Sequence, residues 1–461
     1  MTFAQHIRAT LSLGLPLIGG QLAQTFIGVT DTVMMGWYGV EELAAVALGS
    51  SYFHLILIMG MGFSLAVMPM VAAAAARDDA VQVRRVTRMG LWIGLIFGAV
   101  SLPVMWFSEA ILLAAGQAPQ VAADAQAYLR IAGLAIWPGV LLIALRSHLS
   151  ALDRPGIVMW AWLGGLVLNA FVNWVLIFGN LGAPELGLEG AAIASLGTHI
   201  LIFAILALYA ARARGMRDYA LFARFWRPDP QAMAQVFRLG APIAVTLLLE
   251  AGLFMATMLL MGWIGTLELA AHGIALQIIS VTFMIHIGLS SAATIRVGRA
   301  WSLGDQTALR RAAWAALLLS ALMVAATIVL LIAAAAPLVG LFVDPTDPLR
   351  PQIIAIGVSL LIVACFFQLA DAAQVMALGL LRGLQDTTIP MIYAFVAYWI
   401  LGVPLAYYLG FPLDFAGEGI WAGLAIGLAI AGLVLILRFQ RLARALSAET
   451  ESTSTPSSDA A

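Results

Sequence analysis

The sequence predicts an all-α polytopic membrane protein with twelve transmembrane helices in two six-helix bundles, related by a pseudo-twofold axis along the membrane normal. Three observations predict it. Of the 461 residues, 62% are hydrophobic and 10% charged, against about 25% charged in ordinary soluble domains, so most of the chain must lie in lipid. Apolar runs of the roughly 20 residues needed to cross a bilayer recur along the chain, giving helix starts near residues 11, 43, 89, 126, 157, 189, 239, 268, 312, 352, 389 and 417. The chain also repeats itself at an offset of 226 residues.

The first run, Leu11 to Trp37, is longer than the apolar region of a signal peptide and lacks a small-residue cleavage site, so it reads as a retained helix. Orientation follows from arginine, which stays on the cytoplasmic side of short loops. Arg77, Arg84, Arg85 and Arg88 fall between helices two and three, Arg154 between four and five, and Arg296, Arg299, Arg310 and Arg311 around eight and nine. Arg382 stands beside the next such loop, and Arg438, Arg441 and Arg444 follow the last helix. Glu41, Glu42, Glu185, Glu268, Asp344, Asp347 and Asp414 occupy the opposite loops, so both termini are expected in the cytoplasm. The expected organisation is an N-terminal lobe over residues 1–212, an arginine-rich cytoplasmic linker over 213–238, a C-terminal lobe over 239–445 and a tail over 446–461. That tail is polar and Ser/Thr-rich, a composition that cannot bury enough apolar surface to order itself.

The repeat pairs Leu13, Gly14 and Pro16 with Leu239, Gly240 and Pro242, and Met35, Gly36 and Trp37 with Met261, Gly262 and Trp263. It also pairs Glu42 with Glu268, Gly62 with Gly288, and Arg84 and Arg85 with Arg310 and Arg311. Chance matching of apolar text does not extend to charges. Six helices per half return the chain to the same side, which sets the expected axis along the membrane normal, and transporters bind their cargo between such repeats.

Several functions are excluded. One cysteine, Cys365, permits no intramolecular disulfide and no cysteine metal cluster. All 23 basic residues are arginine, which removes the P-loop lysine and the Schiff-base lysine. His54, His148, His199, His272 and His286 have no metal-ligand spacing. A nucleophile and base for an intramembrane enzyme are not in evidence, so no enzyme and no cofactor beyond a coupling ion is expected, and no nucleic acid. With no extramembrane segment above about 25 residues, a partner-binding domain has no room, and a monomer in the bilayer is expected.

The informative residues break the apolar rule. Asp31, Glu250 and Asp371 lie well inside expected helices with no arginine placed at their depth, and an unpaired intramembrane acid costs several kcal/mol. At 1.5 Å per residue, Glu250 and Asp371 each lie roughly 16 Å from the cytoplasmic face. Two carboxylates at one depth can share Na⁺ or hold a proton. Asp31 is expected near the depth of Asn173 and Ser195, and Asn169 and Asn173 share a helix face, forming a second oxygen-rich cluster that Thr198 could join. Gln24, Gln277 and Gln368, with Phe254, Met255, Met258, Phe283 and Met284, are the candidate lining of a substrate cavity, methionine being the adaptable apolar contact.

The runs LPLIGGQLAQTFIGVTDTVMMGWYG and ELAAVALG near the start, and LGAPIAVTLLLEAGLF, ELAAHGIALQ and GLSSAATIRVG in the second half, resemble the multidrug and toxic compound extrusion (MATE) transporters, NorM-like branch, across residues 5–445. The resemblance implies export of organic, often cationic compounds from the bacterial inner membrane, driven by Na⁺ or H⁺ through alternating access. It also implies that Asp31, Glu250 and Asp371 take part in cation coupling, with Asn169 matching the family's helix-five asparagine. Asn173 departs from relatives with aspartate there, and Phe367 from relatives with tyrosine. The alternative of the same superfold is a lipid-linked oligosaccharide flippase, whose pyrophosphate cargo calls for arginines in the cavity.

Overall fold

The computed structural model describes residues 1–38 and 40–454. Its frame is twelve long helices: α1 (Phe3–Tyr38), then α2 (Leu48–Ala76), α3 (Ala80–Trp106), α4 (Pro119–Ala151), α5 (Pro155–Phe178), α6 (Gly187–Arg212), α7 (Pro230–Ile264), α8 (Thr266–Ser302), α9 (Gln306–Gly340), α10 (Arg350–Gly383), α11 (Thr388–Gly410) and α12 (Ala416–Ala445). The last eleven are long and apolar enough to span a membrane. At 36 residues, α1 is equally long, but Gln21, Gln24 and Asp31 dilute its apolar run. The terminal helix is traced to Ser454, and residues 455–461 of the expected tail lie outside the described residues.

Helices begin earlier than their apolar runs where an aspartate caps them. The carboxylates of Asp79, Asp229 and Asp305 accept from the backbone N–H of Gln82, Ala232 and Ala308 at the starts of α3, α7 and α9, satisfying N–H groups that a helix end leaves unpaired. The stretches that follow, carrying Arg84, Arg85 and Arg88 in α3 and Arg238 in α7, are too polar for the hydrophobic core of a bilayer, which is why apolar length alone placed α3 and α7 late. Asp79 and Asp305 are themselves a repeat pair.

The described chain forms two compact units: Gly19–Leu247, here the first unit, and Met1–Ile18 with the chain from Leu248 onward, the second. Both α1 and α7 therefore run through two units. The reason is a pair of glycines. In the first unit a Cβ on Gly62 would collide with the backbone of Ala244 in α7, and in the second a Cβ on Gly288 would collide with the backbone of Ile18 in α1. Gly62 and Gly288 are repeat mates, and so are Ala244 and Ile18; the same backbone-to-backbone approach is built twice, as small residues permit in membrane bundles. Replacing either glycine with leucine forces a shift of main chain rather than of a flexible side chain, and we expect a loss of about 1–3 kcal/mol, read as a lower unfolding temperature of the full-length protein in detergent.

At the start of α7, Arg85 Nε donates to Asp229 Oδ2 at 2.6 Å. That guanidinium, and then the Ala232 N–H, hold the Asp229 carboxyl below the usual carboxylate range. A depressed folded-state pKa gives stabilisation that is present above the ordinary aspartate pKa and lost as pH falls through the folded value. Asp229→Asn should therefore lower the unfolding temperature at pH 7, by the equivalent of about 1 kcal/mol for a weakened cap and a partly exposed ion pair. The difference from the parent protein should shrink toward zero below about pH 3.

Candidate functional site

Each unit buries its own polar cluster, and the two differ in chemistry. In the first unit, Asn169 and Asn173 are fully buried one turn apart on α5. Asn173 Nδ2 donates to Asp31 Oδ1 of α1 at 2.6 Å and to Asn169 Oδ1 at 3.2 Å. Ser195 Oγ of α6 donates to Asp31 Oδ2 at 2.7 Å. Asp31 thus accepts on both oxygens, while Asn169 Nδ2 and Asn173 Oδ1 are buried without a partner. The ring of His199, one turn beyond Ser195, bonds back to the Ser195 carbonyl at 2.8 Å and meets the face of Trp162 edge-on. Thr198 turns away, its hydroxyl donating to the Ala194 carbonyl at 2.8 Å. The structure therefore brings together Asp31, Asn169, Asn173 and Ser195, and leaves Thr198 out.

The second unit is built from unpartnered groups. Asp371 on α10 is 1% exposed and Glu250 on α7 is buried, and Asp371 Oδ1 and Glu250 Oε1 have no hydrogen-bond partner. Tyr398 on α11 is fully buried with its hydroxyl unpaired, and both polar atoms of Gln374, one turn from Asp371 on α10, are unpaired as well. Glu250, Asp371 and Tyr398 lie within electrostatic range of one another, and Arg382 reaches Glu250 and Tyr398. Unpaired buried polar groups carry a large desolvation penalty, which a water or an ion bound among them offsets. The donor set of two carboxylates, a phenol and an amide oxygen is that of a hard cation.

Tyr398 reaches this place because α11 is not a regular α-helix: Val396–Gly402 is a π-helical stretch, the widened turn that marks functional positions in helices. Trp399 in the same stretch donates to the Leu249 carbonyl at 3.1 Å, tying α11 to the turn of α7 that carries Glu250.

The expected cavity residues divide. Gln368 is buried and donates to the hydroxyl of Thr282 on α8. Phe254 meets Phe367 edge-on at 6.2 Å, and Phe367 leads on to Trp421 and His272. Met255, Met258 and Gln277 are exposed, and Phe283 and Met284 half-buried. Gln24, half-buried in the first unit, accepts from Arg146 Nη1 at 3.4 Å. Arg146 is 4% exposed inside α4, and half-buried Arg382 lies within electrostatic range of Glu250, so the expectation that no arginine is placed at the depth of the acids is corrected for Glu250. Arg382 sits in the last turn of α10, where a helix C-terminal end favours a cation, and the sequence placed it beside a loop; Arg146 lies further in, ahead of the last turn of α4.

His148, His286 and His272 bond to Thr87, Ser320 and Trp421, so each ring is engaged in helix-to-helix packing.

Twelve long helices, eleven of them apolar enough to span a membrane, in two units, with Glu250 and Asp371 buried in one and Asp31 half-buried in the other, define the class of repeat-built polytopic transporters. The sequence profile of the MatE family matches residues 16–175 and 242–408. The chain belongs to that family. It is 48% identical over 443 residues to a protein of Rhizobium meliloti (strain 1021) named "Probable multidrug resistance protein NorM", covering 96% of this chain and 95% of the relative. It is 43% identical over 439 residues to a protein of the same name from Agrobacterium fabrum (strain C58 / ATCC 33970), covering 95% and 94%. In fold it is similar to the crystal structure of a MATE protein in complex with MaL6, with a TM-score of 0.86 over 96% of this chain and 97% of that one at 20% identity.

Proposed function

We propose that this protein is a secondary active multidrug exporter of the bacterial inner membrane. It moves small organic, often cationic compounds outward in exchange for Na⁺ or H⁺, by alternating access of the lobes 1–212 and 239–445. Both termini face the cytoplasm, and a monomer suffices. The coupling cation is taken up at Glu250 and Asp371, with Asp31, Asn169 and Asn173 forming a second cation-binding cluster. Gln24, Phe254, Met255, Met258, Gln277, Phe283, Met284 and Gln368 contribute the surface that organic substrates meet. The observation that carries this reading is the set of unpartnered oxygens on Glu250, Asp371 and Tyr398, which a cation satisfies and whose release leaves the site in need of another positive charge. The relatives' printed names point to multidrug resistance.

The energetics suffice. One charge moved across about 150 mV supplies roughly 3.5 kcal/mol, enough for a concentration ratio of a few hundred at about 1.4 kcal/mol per decade. The test is uptake of a fluorescent organic cation into everted vesicles under a Na⁺ gradient and a pH gradient imposed separately. One of them should accelerate uptake over vesicles lacking the protein; no response to either would refute the reading. Buried Arg146 favours a second reading, transport of an anionic lipid-linked oligosaccharide. It predicts that such a pyrophosphate, and no organic cation, competes for transport.

A further inference from the structure

We propose that the second unit carries a built site for an anionic glycerophospholipid, formed by Arg310 and Arg311 over an apolar groove between α9, α10 and α12. Two adjoining cavities outline it. One, of about 480 Å³, is lined by Phe3, Arg310, Arg311, Trp314 and Leu318. The other, of about 340 Å³, shares Trp314 and Leu318 and continues along Ala321 and Val324 of α9, Leu369, Ala373 and Met376 of α10, and Ile436 of α12. Residues 310, 311, 314, 318, 321 and 324 recur at helical spacing, so charge and groove lie on one face of α9. From Trp314 to Val324 the groove runs about 15 Å along the helix, the hydrocarbon depth of one leaflet. A headgroup at the arginines and an acyl chain below them match that layout, and tryptophan is the side chain favoured at the junction.

The repeat supplies an independent argument that the missing element is an anion. In the first unit the repeat mate of Arg311 is Arg85, which is neutralised by Asp229 at 2.6 Å. The residue equivalent to Asp229 in the second unit is Phe3. No carboxylate stands there: Arg311 donates only to the Met1 carbonyl, at 2.7 Å, and Arg310 has no hydrogen bond or ion pair among the described residues. The first unit also covers this face with its own chain. Arg88 and Trp92, equivalent to Trp314 and Leu318, donate to the carbonyls of Leu221 and Phe225. In the second unit Trp314 and Leu318 are 61% and 41% exposed. One unit covers and neutralises the face from within, and the other leaves a basic edge above an apolar groove at membrane depth, the arrangement that recognises anionic headgroups.

The experiment titrates the delipidated full-length protein in detergent with phosphatidylglycerol, phosphatidylcholine or inorganic phosphate and reads retained lipid by native mass spectrometry. Phosphatidylglycerol should bind at least about fivefold more tightly than phosphatidylcholine, a preference of the order that one interfacial arginine supplies. Arg310→Gln with Arg311→Gln should erase the preference. Phe3→Asp, which installs the carboxylate of the first unit and removes no arginine, should weaken it as well. Ala321→Phe should lower binding of both lipids by filling the groove. Unfolding temperatures are measured alongside, and Phe3→Asp and Ala321→Phe keep the test decisive if the double arginine variant fails to fold. Equal retention of the two lipids, or a preference that survives both Phe3→Asp and loss of the arginines, would overturn the proposal. So would displacement of the lipid by millimolar inorganic phosphate, which would make the site one for free phosphate.

Discussion

Glu250→Gln and Asp371→Asn should each abolish cation-driven export while leaving the protein folded. Each change keeps the shape of the side chain and removes one negative oxygen from a group with no hydrogen-bond partner to lose, so nothing in the packing has to adjust. What is lost is one ligand of the cation. A charge-assisted contact is worth about 1.5–3 kcal/mol, so cation affinity should fall about ten- to a hundredfold, and export under a gradient that half-saturates the parent protein should drop to background. Tyr398→Phe tests the third donor. It removes only a neutral hydroxyl, so a loss of about tenfold or less is expected, with export recovering at higher cation concentration. The checks are initial rates of substrate uptake in proteoliposomes against cation concentration, with unfolding temperature as the control. Normal transport by both acid variants would remove Glu250 and Asp371 from the coupling mechanism.

Asp31→Asn is the second large effect, and its cause differs. The Asp31 carboxylate accepts from Asn173 at 2.6 Å and from Ser195 at 2.7 Å. The new amide can keep its oxygen on Asn173 Nδ2, and the Ser195 hydroxyl can rotate to accept from its NH₂. Hydrogen bonding survives; the charge does not. Export should therefore fall as steeply as in the second unit. Ser195→Ala, which removes one donor and keeps the charge, should cost about tenfold or less. If Asp31→Asn and Ser195→Ala fall equally, Asp31 serves packing rather than a cation. Comparing Na⁺ and pH gradients across the variants of the two units then assigns each cluster its ion.

The fold and the acids were legible in the sequence because a membrane enforces simple rules. Apolar runs of fixed length give helices, and a buried acid has to be used. The repeat at 226 residues read the scaffold down to Gly62 and Gly288. It did not reveal that these glycines pack each against the first helix of the opposite half, because a close approach leaves no mark in the sequence beyond the small residue itself. Helix starts were harder to read at α3 and α7, where an aspartate cap extends the helix into polar sequence.

Tyr398 was missed because aromatic residues in an apolar run read as core, and the π-helical stretch that carries it leaves no mark in the sequence. With the offset widened to 229, Glu189 and Gly190 pair with Glu418 and Gly419, and the same offset sets Tyr398 opposite Asn169, a correspondence that was the available signal. Arg146 was missed, and Arg382 was placed beside a loop, because basic residues near helix ends are ordinarily loop residues. Their burial depends on how far the helix continues past them.

Asymmetry is the mechanistic content of the molecule. Gln24 and Glu250 are repeat mates, yet Gln24 accepts from Arg146 and Glu250 lies within electrostatic range of Asp371 and Tyr398. A guanidinium occupies the first unit near the position where the second holds an unpartnered carboxylate.

The most direct test of antiport imposes no cation gradient at all. Proteoliposomes containing the full-length protein are given only a gradient of the organic substrate, with equal Na⁺ and equal pH on both sides, and cation movement is recorded. Exchange at Glu250, Asp371 and Asp31 predicts that the substrate drives Na⁺ or H⁺ uphill in the opposite direction, and that the three acid variants abolish this flux. Substrate movement down its gradient with no cation displaced in the parent protein would contradict the account.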